Sequence, residues 1–448
     1  MYQTDFTTDE LKSRREQLCE NLGNGTALIA GAPAAHGTTR FRQYNDFYYL
    51  CGVEVPHAYL TIEGSSGRTK LFLPESELLS RDSDDRMICA DDPNYAAEVS
   101  GVDEVAGLDA LHDTLKDVKT LFTHLVEGEG LKACQRSIND ARRVIEADPW
   151  DNRPSRGAHL TSLIRSRYPG IEIRDVQPII YRMRMFKSPR EVELLRRAGQ
   201  LSAAGLREAI RSTRPGVMEY ELAAVLQYEY LAGGALDNGY TPIVAGGRNA
   251  FHGHYNQNNC PLNDGDLLLV DCAPDYHYYT SDITRVWPVN GTYTPAQRAL
   301  YGFVTEYHKT LIAAIRPGRT CDEIEDEAVE IMRGRLSEFD FASETHASGP
   351  EWMFNFRKHL AHSVGMSVHD GLSHKDEPLR PGIVFSVDPQ MKIAEEHLYL
   401  RVEDTGVVTE DGFDVLTKDV PHELDELEAL MTGDGLVQQF PPLPGDSA

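Results

Sequence analysis

Long apolar runs are missing from this chain of 448 residues: no stretch reaches the roughly 20 apolar residues that cross a bilayer, which excludes a membrane-spanning helix. The opening residues, MYQTDFTTDELKSRREQ, contain no apolar segment of the kind a secretory leader needs. Basic residues are scarce beside acidic ones. The 44 Lys and Arg against 70 Asp and Glu give a formal net charge of -26, and no long basic patch offsets it, so no nucleic-acid partner and no membrane partner is expected. Solubility or a saline habitat accounts for such an excess, and carboxylates gathered in a cleft would also attract divalent cations. The seven cysteines are an odd number, lie far apart and include no CxxC pair; they read as reduced thiols, and cytoplasm is the expected compartment. GxSxG, HExxH and GxxxxGK[ST] are all absent, which removes the corresponding serine-hydrolase, zinc-protease and P-loop readings.

What is present is an ordinary globular composition, 41% hydrophobic and 25% charged, long enough for two domains. In the first region ELKSRREQLCENL has helical spacing and TALIAGAP reads as a short buried strand. NDFYYLCG, HAYLTIEG and TKLFLP read as three further strand-like runs. GLDALHDTLKDV, RSINDARRVIEADP and GAHLTSLIRSRYPG read as helices around VKTLFTHL. The expected organisation is an α/β domain over 1–179, a second domain over 180–432 and a Pro/Gly-rich tail over 433–448, in which PPLP could dock an aromatic groove. Ser188, followed by Pro189 and Glu191, predicts a capped helix start at the head of the second domain. Arg214-Pro215-Gly216 recurs 102 residues later as Arg316-Pro317-Gly318, each at a break between helical patterns. This suggests two similar halves with a site between them.

Candidate chemistry lies in the second domain. In LLLVDCAPDYHYYTSDITRVWPVNG, Asp271 ends an apolar strand and Asp282 follows eleven residues later, after a Tyr-rich hairpin that can bring the two carboxylates side by side. Such a pair needs a cation or a shared proton; a turn or cap role is the plain alternative for either Asp alone. LAHSVGMSVHDG presents His362 and His369 across a bend. GIVFSVDPQMK and LYLRVEDTGVVT place Asp388 and Glu403 in apolar strand patterns, where a buried carboxylate needs a partner: Arg401, a metal, or both. One imidazole and four carboxylates suit a pair of Mn, Fe, Co or Zn ions of the kind used in hydrolysis.

The order of these residues resembles the aminopeptidase P and prolidase branch of the pita-bread metallopeptidases. FRQYNDFYYLCGVEVPHAYL, MFKSPREVELLRRAG and YTPIVAGGRNAFHGHYNQNN resemble that family's N-terminal domain, junction helix and substrate-side loop. The resemblance covers roughly residues 10 to 420. It implies an α+β chain, with an α/β creatinase-like N-terminal domain before a pita-bread catalytic domain of pseudo-twofold halves. It further implies two divalent metal ions, with Mn(2+) the leading expectation and Zn, Fe or Co open. Asp271 would hold one ion, Asp282 and Glu403 both, and His362 and Asp388 the other. His254 would steady the substrate oxyanion, His369 would contact the peptide and assist proton transfer, Asp388 would pass a proton to the leaving nitrogen, and Arg401 would fix the bridging glutamate. The implied activity releases the N-terminal residue from peptides with proline second, by a homo-oligomer, dimer or tetramer. An Xaa-Pro dipeptidase and a catalytically inactive binding protein are the alternatives. Two positions depart from the family: Asp388 stands where it has glutamate, and Lys358, followed by His359, stands where it commonly has histidine.

Overall fold

The structure, a computed structural model, describes residues 3–35, 39–79, 86–375 and 377–441. The chain forms two compact units, Met1–Arg184 and Met185–Ala448.

The first unit is built on six strands, β1 Thr26–Ala30, β2 Tyr59–Glu63, β3 Thr69–Leu73, β4 Glu104–Gly107, β5 Thr120–Thr123 and β6 Glu172–Asp175, in the order β4-β3-β2-β1-β5-β6. Leu28 of β1, Leu121 of β5, Leu115 and Ile164 pack together beside this mixed sheet. NDFYYLC departs from the expected strand: Asn45–Cys51 is a helix, closed by Gly52 at φ 66°. All seven of its residues are buried, so no alternation of faces betrays its period, and a short apolar run of this kind is compatible with either element. Its Asp46 is held by Arg184 at 2.6 Å and by His124 at 2.7 Å.

In the second unit Ser188 and Glu191 form the capping box that starts the helix Pro189–Ser212. Three further long helices, Glu219–Ala232, Pro295–Ala314 and Cys321–Gly334, pack with it around one continuous core that includes Trp287, Phe303, Tyr307 and Phe385. The strands are β7 Asp237–Asn238, β8 Ile243–Gly246, β9 Leu267–Cys272, β10 Pro274–Asp275, β11 Ile283–Pro288 and β12 Leu360–Ser363. They continue with β13 Val384–Val387, β14 Gln390–Ile393, β15 Leu398–Arg401, β16 Asp404–Val408 and β17 Phe413–Val415. They make a three-stranded sheet β11-β9-β8, a four-stranded sheet β12-β13-β16-β17, the two-stranded pair β10-β7 and the hairpin β14-β15.

The two RPG turns are structural counterparts. Gly216 at φ 90° and Gly318 at φ 85° occupy the left-handed region that favours glycine. Each donates its N–H to a leucine carbonyl, Leu262 at 2.8 Å and Leu379 at 2.7 Å. The segments that follow match as well, PLNDGDLLLVD ending at Asp271 and PLRPGIVFSVD ending at Asp388, each running into a buried strand, β9 or β13. The first part of the Pro/Gly-rich tail packs within this unit. Leu436–Gln439 is a short helix whose Leu436 N–H donates to Glu208 at 2.6 Å, while Gln438 donates to the Ser212 carbonyl at 2.9 Å. Residues 442–448, with all of PPLP but its first proline, lie outside the described residues.

Candidate active site

Asp271 is carried by β9, a fully buried strand flanked by β8 and β11. Pairing of β9 with β11 sets Thr284 opposite Asp271, and Asp282 lies immediately before β11. The Asp282 backbone is fixed from the other sheet, its N–H donating to Thr405 Oγ1 at 2.8 Å and its carbonyl accepting from the same hydroxyl at 2.9 Å. Glu403 follows β15 and bridges to Thr284 through both backbone groups. The Thr284 hydroxyl donates to Glu403 Oε2 at 2.9 Å. Arg285, wholly buried, adds a second tie between the segments by donating to the Glu403 carbonyl at 2.8 Å and to both Asp404 oxygens at 3.0 Å.

His362 on β12 places Nε2 3.4 Å from Asp282 Oδ2, and Asp388 follows β13, its N–H donating to the His359 carbonyl at 2.6 Å. Asp282, His362 and Glu403 offer ligand atoms that all lie within 4.8 Å of one another. Arg401 joins Asp271, Asp388 and Glu403: its close bond is to Asp271 rather than to Glu403, which it was expected to fix, and its Nε lies 3.7 Å from both Asp388 Oδ1 and Glu403 Oε2. The structure thus brings Asp271, Asp282, His362, Asp388, Arg401 and Glu403 into one network.

That network is short of positive charge. Four buried carboxylates face one guanidinium, and such crowding is resolved by protons or by cations. Burial and then the Asp271 charge push the Asp282 carboxyl well above the usual carboxylate range. Burial and then Glu403 do the same to Asp388, and burial and then Asp282 raise Glu403 to about 8. The Tyr240 hydroxyl lies against Asp271 Oδ1 and 2.5 Å from Asp282 Oδ1, so one proton serves two acids. Asp388 Oδ1 and Glu403 Oε1 are buried without any hydrogen-bond partner. Acceptor oxygens left open in this way, with an imidazole beside them, fit a divalent cation of the Mn, Fe, Co or Zn type.

The remaining candidates are placed in different ways. His369 stacks edge-on against His362, ring centres 4.0 Å apart. His254 is on an exposed loop after the 3-10 segment Gly247–His252, and Lys358 is exposed. His359 is a core residue: it donates to the Met353 carbonyl at 2.8 Å, packs against Tyr307 and Phe356, and is lowered to about 4 by burial. Tyr240, Thr284 and Gln390, whose amide donates to Asp388 Oδ2 at 2.7 Å, hold the acids and were not singled out as site residues from the sequence. Thr284, two residues after Asp282 and inside β11, was the one with a signal, a polar residue in an apolar strand pattern.

Residues 193–410 match Metallopeptidase family M24, and residues 11–124 match the aminopeptidase P N-terminal domain. The Xaa-Pro aminopeptidase of Escherichia coli is 32% identical over 96% of this chain and 98% of its own length. The chain belongs to the aminopeptidase P branch of family M24. The Xaa-Pro aminopeptidase of Haemophilus influenzae is 29% identical over 96% of the chain and 99% of its own. Among solved structures, proline aminopeptidase P II from Yersinia pestis shares 29% identity at a TM-score of 0.75, covering 95% of this chain and 99% of that one. E. coli aminopeptidase P in its low-pH form shares 30% identity at the same TM-score, covering 96% and 99%. As in those relatives, an N-terminal domain precedes a pita-bread domain, and this family member is a metal-dependent hydrolase.

Proposed function

We propose that the chain is an Xaa-Pro aminopeptidase that holds two divalent metal ions and releases the N-terminal residue of peptides whose second residue is proline. The observation that carries this reading is the buried set of Asp271, Asp282, Asp388 and Glu403 around Arg401, with His362 alongside. It occurs in a chain whose nearly full-length relatives are Xaa-Pro aminopeptidases. In this reading Asp271 would hold one ion, Asp282 and Glu403 would serve both, and His362 and Asp388 would hold the other. Manganese is our choice of ion, and zinc, iron and cobalt are served by the same donors. When bound, the ions supply an activated water and polarise the scissile carbonyl.

The protein's own groups do the rest. Arg401 orients the Asp271 carboxylate through a charge-assisted bond, and Tyr240 steadies the adjoining pair of acids. His254 donates to the oxyanion that forms on the substrate, His369 contacts the peptide, and Asp388 passes a proton to the leaving nitrogen. An Xaa-Pro bond has no N–H at that nitrogen, so a pocket shaped to the ring leaves no donor unpaired. A homo-oligomer and a cytoplasmic location complete the proposal. The cysteines are free thiols, five of them buried, which suits a reducing compartment, and among the described residues no helix is long and apolar enough to cross a membrane.

The test is hydrolysis by manganese-loaded protein of Xaa-Pro, Xaa-Pro-Yaa, Xaa-Ala-Yaa and N-acetylated Xaa-Pro-Yaa. Release of the first residue from Xaa-Pro-Yaa, lost on acetylation and in Asp282→Ala, supports the proposal. Cleavage of the dipeptide alone would make the protein a prolidase, and no turnover with metal bound would make it a binding protein.

A further inference from the structure

Asp388 is held differently at its two oxygens. Oδ2 accepts a hydrogen bond from the Gln390 side-chain amide at 2.7 Å. Oδ1 has no hydrogen-bond partner and lies 3.7 Å from Arg401 Nε. The two arms come from one hairpin: in the β14–β15 pairing Gln390 stands directly opposite Arg401, and directly opposed residues share a face of the sheet. The acid itself precedes this hairpin by only Pro389, and its backbone is tied to His359 on the other side. What remains free is rotation of the carboxylate about its last bond, and the half-buried Gln390 amide fixes that rotation.

We infer that Gln390 is a positioning residue of the metal site, which occupies Asp388 Oδ2 so that Oδ1 is the oxygen presented to a cation. The inference rests on the two-metal reading above. An aspartate has one methylene fewer than a glutamate, so it cannot reach a cation by swinging its stem and depends on the direction in which its carboxylate is held. Outer partners of this kind change metal affinity by 10- to 100-fold when removed.

The test is a manganese titration of the full chain against a competing fluorescent chelator, for wild type, Gln390→Leu, Asp388→Asn and the double variant, beside thermal unfolding of each metal-free protein. Gln390→Leu is expected to weaken one of two manganese equivalents by about 10- to 100-fold with metal-free unfolding unchanged. In the Asp388→Asn background the same change should add less than about twofold, because its effect acts through Asp388. Gln390→Met keeps the length, removes the donor without adding charge and should weaken the same equivalent, which serves if the leucine variant folds poorly. Equal affinity in wild type and both Gln390 variants, or an undiminished effect in the Asp388→Asn background, overturns the inference alone. A wild-type protein that takes up no manganese overturns the two-metal reading and this inference with it.

Discussion

Lys187 and Asp370 form an ion pair of 3.0 Å in which each side chain is only 1% exposed. Asp370 is the neighbour of His369, and Lys187 is the third residue of the junction motif, its N–H donating to the Gly382 carbonyl at 2.9 Å. The pair therefore fastens the histidine loop to the start of the second unit. Removing one member strands a buried charge, so Lys187→Met should cost about 3 to 5 kcal/mol. Adding Asp370→Asn should return much of that loss, read by urea unfolding of the single and double variants.

Acid should expose a second set of buried groups. Burial lowers His308 to about 3, His374 to about 3 and His359 to about 4, below the ordinary value of 6.5 that applies in the unfolded chain. Below 6.5 the unfolded state binds protons that the folded state refuses, so the stability these histidines allow is full above that pH and drains away as pH falls toward 4 to 3. Glu403, raised to about 8, works in the opposite sense, its contribution in metal-free protein fading as pH rises from 4.5 through 8. Comparing variants separates the two. His308→Asn should flatten the fall of unfolding free energy between pH 6 and 4 by up to about 1.4 kcal/mol per pH unit.

Tyr240 offers one proton to two acids. Tyr240→Phe keeps the ring and removes that proton. We expect manganese affinity or activity to fall about 10- to 100-fold, by chelator competition and steady-state assay, and the metal-free protein to lose about 1 to 3 kcal/mol of stability because two buried acids lose their shared donor.

Arg401 is the guanidinium that Asp271, Asp388 and Glu403 share. In Arg401→Met those buried acids keep their mutual repulsion and lose its main compensation. The metal-free protein should unfold at a lower temperature than wild type, and added manganese should raise that temperature by more than it does in wild type, read by calorimetry with and without chelator.

The convergence of the acids was legible because each interrupts a strand pattern that ought to be buried. Asp271 and Asp282 flank a hairpin, Asp388 closes VFSVD, and Glu403 follows LYLRV. A charge in such a place demands company, and the demand is visible without coordinates. What supplies the company was less visible. Tyr240 lies 31 residues from Asp271 in a loop, and Gln390 is an ordinary strand residue whose role depends on the pairing that sets it opposite Arg401. Asn45–Cys51 was unreadable for another reason. Enclosed on every side, it has no exposed face to reveal whether it winds or extends.

The matched segments ending at Asp271 and Asp388 carry a last consequence. Each half of the second unit brings its aspartate to the centre by the same route, a glycine turn and then five residues, the last four in a strand, before the acid, yet neither half owns the whole donor set. Asp271 and Asp282 travel with the first, His362, Asp388 and Glu403 with the second. A chain cut between Pro288 and Pro295, where β11 gives way to the next helix, would therefore yield two silent pieces, and hydrolysis would return only in a mixture where both are present.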